Sequence, residues 1–235
     1  MKTDPLPTAK AEYVQDMFTR IAPRYDLMNR LMTAGQDNAW RRQVVHLARL
    51  QPGARLLDLG AGTGDLAREA VRQQPACFAL AADFTLGMMQ AGQRRPGSRL
   101  HWTAADAQRL PFPDHSFDAV ISGFLLRNVS DLPLALAEQR RVLKPGGRFV
   151  SLDTTRPPDR SLLKPFIRLH MRAVIPLLGA IITGQRDAYT YLPSSSEGFL
   201  TAEALTDHLA TAGFKQIGFQ RRMFGTIAIH WGLNP

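Results

Sequence analysis

The chain has 235 residues, 45% hydrophobic and 21% charged, a balance that suits one domain with an appended element. Its single cysteine, Cys77, excludes an internal disulfide and a thiolate-based zinc cluster, and no metal site is expected. The net charge of +9 would attract nucleic acid and an anionic membrane surface alike, while the opening MKTDPLPTAK lacks the long apolar core of a signal peptide or spanning helix.

Residues 1–8 carry two prolines and read as a loose tail. From Ala9 to Arg49 apolar residues recur at helical spacing in three pieces: Val14, Met17, Phe18 and Ile21; Leu27, Met28, Leu31 and Met32; Val44, Val45, Leu47 and Ala48. Pro23 and Gly35 punctuate them, so residues 1–50 are expected to form a helical cap. After the Pro52-Gly53 turn, Leu56, Leu57 and Leu59 form the apolar run of a strand buried on both faces. Gly60, Gly62 and Gly64 then alternate with small residues, and a helical pattern follows through Leu66, Ala67, Ala70 and Val71. Strand, glycine turn and helix open a nucleotide-binding βαβ unit, because positions without side chains let the backbone approach a ligand. A dinucleotide fingerprint would place its third glycine at Asp65. Here that glycine comes one residue early, and Asp58 sits at the strand end.

A second strand, Phe78 to Ala82, ends at Asp83, where a carboxylate can accept from both hydroxyls of a ribose or cap a helix from Thr85. A third strand over Leu100 to Thr103 leads to Asp106 and Ala107. A fourth, Phe117 to Ser122, leads to the loop from Gly123 to Asn128. A helix from Asp131 to Leu143, stopped by Lys144-Pro-Gly-Gly147, precedes a fifth strand from Arg148 to Thr154. Such alternation predicts a doubly wound parallel sheet with ligands outside the carboxyl ends of its strands, where Asp58, Asp83, Asp106, Ser122 and Asp153 fall. The alternation breaks after Asp153. Residues 156–200 hold an apolar stretch, Phe166 to Ile182, studded with Arg160, Lys164, Arg168, Arg172 and Arg186. It is too interrupted to span a bilayer and reads as a lid insertion that meets a lipid tail at a membrane surface, or else as packing against the sheet or a dimer partner. A helix from Thr201 to Ala212 and strands over Lys215–Arg222 and Thr226–Trp231 close the chain.

The pattern Asp58-x-Gly60-x-Gly62-x-Gly64 resembles the first motif of class I S-adenosylmethionine-dependent methyltransferases. Other segments resemble the ubiquinone/menaquinone-biosynthesis C-methyltransferases (UbiE/MenG type) more specifically. They are Phe18 to Asn29, Trp40-Arg-Arg42, Leu110-Pro-Phe-Pro-Asp114, Leu126-Arg-Asn-Val129, Arg141 to Gly147, Tyr189-Thr-Tyr-Leu192, Ala212-Gly-Phe214 and Ala228-Ile-His230. The resemblance implies a Rossmann-like α/β fold: a seven-stranded, mainly parallel sheet with helices on both faces, a helical cap and a lid. Residues 51–155 would form the cofactor-binding core and residues 201–235 the closing helix and strands. Three departures stand out. Asp153 and Thr154-Thr155 replace the family's Glu and Phe-Ser, Gly123 replaces a hydroxyl residue, and Ser194-Ser-Ser-Glu-Gly198 replaces a Glu-Ser-Ile segment. The cofactor half is matched and the acceptor half is altered.

By this resemblance S-adenosylmethionine would be held by Asp58, Gly60, Gly62, Thr63, Gly64, Asp83, Asp106, Ala107, Ser122 and Gly123. Thr63 and the glycine backbone would line the methionine and ribose, Asp83 would hold the ribose diol, and Asp106 with Ala107 would meet the adenine. The reaction implied is C-methylation of a prenylated quinol such as demethylmenaquinol or 2-polyprenyl-6-methoxy-1,4-benzoquinol. A ring carbon is a poor nucleophile until a neighbouring phenol loses its proton, so a base or proton relay is needed. The catalytic candidates are Asp153, Arg127 and Tyr25, with Asp26, His170, Tyr189 and His230 as further ones. Arg127 keeps its charge and suits stabilisation of a phenolate. A cytoplasmic location is expected, with a peripheral membrane contact and a homodimer left open. A nucleic-acid methyltransferase would suit the charge, but Gly123-Phe-Leu-Leu-Arg-Asn128 is not an Asn/Asp-Pro-Pro-aromatic loop and Cys77 precedes the second strand. A protein that only senses the cofactor, and an O- or N-methyltransferase of another small aromatic molecule, remain alternatives on the same fold.

Overall fold

The computed structural model describes residues 7–96, 100–157, 195 and 198–235. Almost all of the expected lid, with His170 and Tyr189, therefore lies outside the described residues, and so do the membrane and dimer expectations that rest on it.

Seven strands form one sheet: β1 Arg55–Leu59, β2 Phe78–Asp83, β3 His101–Ala104, β4 Phe117–Gly123, β5 Leu143–Thr154, β6 Lys215–Arg222 and β7 Ile227–Leu233. Their order is β3-β2-β1-β4-β5-β7-β6, with the first five parallel and β7 running antiparallel to both β5 and β6. This is the seven-stranded, mainly parallel sheet expected. Successive side chains alternate between its faces, so a strand that is apolar throughout must be covered on both. Leu57, Leu59, Val120 and Phe149 join one core with Ala135 and Leu136 of α6 (Leu132–Val142) and Leu205 and Leu209 of α7 (Ala202–Thr211). Leu56, Ile121, Val150 and Leu152 join the other with Trp40, Val44 and Val45 of α3 (Asp37–Ala48) and Leu66, Ala67 and Ala70 of α4 (Asp65–Gln73).

The cap is helical as expected, with α1 Pro7–Ile21 and α2 Tyr25–Met32 preceding α3. Helix α1 begins inside the expected tail, since proline is tolerated at a first helical position where its missing N–H has no partner to lose. The third strand lies one residue later than expected. The fifth begins at Leu143, which already pairs with Phe117 before the register shifts past Lys144-Pro-Gly-Gly147 to Arg148 opposite Ala119. That turn is thus an irregularity within the ladder, not a stop before it. Among the described residues no helix is long and apolar enough to cross a membrane.

Helix α5 (Leu86–Gln93) packs tightly on the loop after β1. A Cβ added at Gly92 would lie 2.5 Å from the Trp102 ring and 2.7 Å from the Thr63 carbonyl oxygen. Alanine gains roughly 1 kcal/mol over glycine in a helix. Overpacking typically costs about 1–3 kcal/mol, and here part of the clash falls on backbone that cannot swing aside. Gly92→Ala is therefore expected to lower stability by about 1–2 kcal/mol in urea unfolding, and a variant as stable as its parent would contradict this packing.

Candidate active site

The loop after β1 is built to stay free of side chains. Gly60, Gly62 and Gly64 have φ of +67°, +57° and +83°. A Cβ at Gly60 would stand 2.9 Å from Leu125 Cδ1, and one at Gly62 would stand 3.1 Å from Met88 Cε. The amides of the loop are held from below. The Ala61 N–H donates to Ala82 O at 3.0 Å, that of Gly62 to Asp83 Oδ2 at 2.7 Å, and that of Ala67 to Asp58 Oδ2 at 2.9 Å.

A cleft opens above this loop, at the carboxyl ends of the strands. Its floor is Leu59, Gly60 and Gly62; its sides are Asp83, Phe84, Thr85 and Met88 after β2, and Ala105 to Gln108 after β3. Gly123, Phe124, Leu125, Asn128, Val129 and Ser130 follow β4, and Val14, Phe18 and Tyr25 of the cap close the rim. Of the residues singled out by sequence, Gly60, Gly62, Asp83, Asp106, Ala107, Gly123 and Tyr25 line this cleft. Asp58, Thr63, Gly64, Ser122, Arg127 and Asp153 stand behind its wall.

Asp83 accepts from the Thr85 N–H at 2.6 Å with Oδ1 and from Gly62 with Oδ2. Burial pushes its carboxyl up, and the Thr85 and Gly62 amides draw it back. The Thr85 hydroxyl and the Phe84 amide draw it back as well, so donors of its own turn surround this carboxylate. The helix cap expected of Asp83 falls instead to Thr85, which occupies the capping position of α5 and whose N–H Asp83 holds. Asp106 is exposed at the rim, where its Oδ1 accepts from the Gln108 N–H at 2.9 Å.

Asp58 is fully buried, with Oδ2 on Ala67 and no partner for Oδ1 among the described residues. Burial, reinforced by the charges of Asp83 and Asp65, pushes its carboxyl up to about 7. The Thr63 hydroxyl donates to Asp26 at 2.8 Å, and Gly64 is the left-handed residue that starts α4. Ser122 is buried in register with Ser151, which is in register with His230. His230 places Nε2 2.9 Å from Ala202 O on α7, away from the cleft, and burial lowers its pKa.

Arg127 follows β4 in a short 3-10 turn, and Asp153 ends β5; their side chains meet at 3.0 Å, both almost fully buried. Asp153 also accepts from the N–H groups of Thr154 at 2.7 Å and Arg127 at 3.3 Å. Burial raises its carboxyl, opposed by Arg127. The guanidinium carbon lies 5.0 Å from the centre of the Phe124 ring. Tyr25 meets Phe18 edge-on at 5.8 Å, and burial raises its phenol while Asn29 and the Arg127 charge act against the rise. Arg127 is therefore felt at the cleft through Tyr25. Sequence reasoning passed over the apolar walls, Phe84, Met88, Phe124 and Leu125; Phe84 and Phe124 directly follow strand ends, which is the one signal that marks them.

The model of the ubiE/COQ5 methyltransferase family matches residues 7–234. The chain belongs to that family, and is a methyltransferase. Among curated relatives, the ubiquinone/menaquinone biosynthesis C-methyltransferase UbiE of Desulfotalea psychrophila is 47% identical over 96% of this chain and 92% of its own. The demethylmenaquinone methyltransferase of Thermus thermophilus is 43% identical over 93% of this chain and 100% of its own. Among solved structures, a SAM-dependent methyltransferase of Thermotoga maritima superposes with a TM-score of 0.64 over 94% of this chain and 99% of that one. At 19% identity it shows the shared fold alone.

The raised carboxyl of Asp58 has a consequence for stability. In the unfolded chain an Asp titrates near 3.9, so between about pH 4 and about pH 7 the folded state binds more protons. The contribution of this group is therefore full below about pH 4 and is lost as pH rises towards about 7. Asn at this position can still accept from Ala67 but does not titrate. Asp58→Asn is expected to flatten the fall in unfolding free energy across that window by an amount on the order of a few kcal/mol. An unchanged slope in urea melts at several pH values would assign the titration elsewhere.

Proposed function

We propose that this methyltransferase transfers the methyl group of S-adenosylmethionine to a ring carbon of a prenylated quinol in quinone biosynthesis. The observation that carries this reading is one cleft joining a side-chain-free glycine cradle and the carboxylate of Asp83 to an apolar rim backed by a buried arginine. The relatives named for ubiquinone and menaquinone biosynthesis support the acceptor class.

The residues fit the cofactor. The carboxylate of Asp83 at the cleft suits the ribose hydroxyls, the backbone at Gly60 and Gly62 suits close contact with the methionine part, and Asp106 to Gln108 suit an adenine edge. When bound, S-adenosylmethionine supplies an electrophilic methyl on a sulfonium, so positioning is the protein's main task. Tyr25 keeps its proton, because burial raises its phenol, and can donate to an acceptor oxygen. The positive charge of Arg127 behind Tyr25 and Phe124 stabilises negative charge growing on that oxygen, which makes the ring carbon nucleophilic. Asp153, with its oxygens taken by Arg127 and Thr154, suits the orienting of Arg127 better than direct proton removal.

Two measurements test this. With labelled cofactor, demethylmenaquinol or 2-polyprenyl-6-methoxy-1,4-benzoquinol should accept a methyl group on carbon far faster than simple tail-less phenols; equal rates on all, or labelled oxygen, would reassign the acceptor. Hydrogen bonds to a charged group contribute about 1.5–3 kcal/mol each, so loss of two should weaken cofactor binding about a hundredfold or more in Asp83→Ala. A calorimetric change below about fivefold would remove Asp83 from the cofactor site.

A further inference from the structure

A ring of charged side chains ties the cap to the glycine loop. Asp26, on α2, takes the Thr63 hydroxyl at 2.8 Å on Oδ1 and Arg95 Nη1 at 2.8 Å on Oδ2. Arg95, just beyond α5, also reaches Asp65 at 2.6 Å and the Thr63 hydroxyl at 3.2 Å. Asp65 pairs with Arg41 at 3.1 Å and Arg41 with Asp37 at 2.6 Å; Asp37 accepts from the hydroxyl of Thr33, which caps the end of α2, at 3.1 Å. The ring leaves α2 in its first turn, passes through the first residue of α4, and returns at the end of α2.

Thr63 is the only loop residue in this ring, and it is 4% exposed. Its carbonyl oxygen is held by Arg68 and its hydroxyl by Asp26, while its neighbour Gly62 lines the cleft. On the other side of the contact, Asp26 directly follows Tyr25, which lines the same cleft. The two hydroxyl-bearing and acidic residues thus join the floor of the cofactor half to the wall of the acceptor half.

We propose that Asp26, Thr63 and Arg95 form a positioning latch that registers the N-terminal cap, and with it Tyr25, on the glycine loop. A charge-assisted bond from a buried hydroxyl fixes α2 in translation as well as rotation, since the ring grips both ends of the helix. Tyr25 then meets an acceptor only when the glycine loop is in its native shape. The latch deepens the methyl-transfer reading above and rests on it for its kinetic arm.

Thr63→Val keeps the shape and branching of the side chain and removes the hydroxyl. It is expected to lower kcat on the prenylated quinol about tenfold or more while the Kd for S-adenosylhomocysteine, read by calorimetry, stays within about threefold. Hydrogen exchange over residues 14–32 should quicken in the same variant. Thr63→Ser restores the hydroxyl and should recover both the rate and the slow exchange. A loss of cofactor affinity of about tenfold with kcat and exchange unchanged would overturn the latch and make Thr63 a cofactor contact. Exchange equal to the parent's in both variants would overturn it as well. If the parent binds S-adenosylhomocysteine but methylates no quinol, the functional reading fails, and the exchange rates of Thr63→Val still decide the latch.

Discussion

Two buried carboxylates hold the glycine loop, and the rest of the site depends on that hold. Asp58, one residue before the end of β1, takes the amide of Ala67 in the first turn of α4, and Asp83, the last residue of β2, takes that of Gly62 within the loop. Three glycines at positive φ within five residues lose much chain entropy on folding, and charge-assisted bonds are the stronger anchors for such a loop. The anchors are costly in their own way. Asp58 has one amide against full burial, and burial dominates, which is why its carboxyl rises so far. Asp83, which lines the cleft, has several donors of its own turn, and they offset part of the rise that burial causes.

Several of the basic residues serve as ties inside the fold. Arg127, Arg41, Arg95 and Arg141 each meet a carboxylate, and each joins segments far apart in sequence. Arg141 shows what such joins do. From α6 it reaches Asp114 and the carbonyls of Phe112 and Leu110, while Glu138 on the same helix takes the Leu110 amide. The segment from Leu110 to Asp114 is thereby fixed below the rim residues Asp106 to Gln108. Two of the segments that carry the family resemblance, Leu110-Pro-Phe-Pro-Asp114 and Arg141 onward, are halves of one contact. Their joint presence in the sequence therefore has a mechanical reason.

The strands were legible because each is an apolar run ending in a polar residue, and only a sheet covered on both faces leaves such a trace. Bounds slipped where pairing, not composition, decides them: Leu143 reads as the last residue of a helix, yet its partner Phe117 makes it the first of a strand. The cofactor half was legible for a similar reason, since its groups follow successive strand ends. The pairing of Arg127 with Asp153 leaves no periodic trace, as the two lie 26 positions apart with a whole helix between them. The Thr63 hydroxyl is a sharper case. A hydroxyl inside a glycine loop looks as though it faces the ligand, but a loop that must present bare backbone needs its own scaffold, and Asp26 supplies it from a helix that precedes the loop by 37 residues.

The direction of Arg127 is set by one short side chain. Asp153 holds Arg127 with Oδ1 at 3.0 Å while the Thr154 amide, on the adjacent residue, reaches the same oxygen at 2.7 Å. Two bonds this close to the backbone keep the carboxylate at the end of β5, behind Phe124 and Arg127. The short acid thus holds the arginine close to the end of the sheet. A buried ion pair gains little stability for its desolvation, but it fixes direction well. Arg127 does not itself line the cleft; Tyr25, Asn128 and Ser130 are among the polar residues that do, and the Arg127 charge reaches the Tyr25 phenol from behind them. In the proposed reaction that charge would favour a phenolate as its ring carbon attacks.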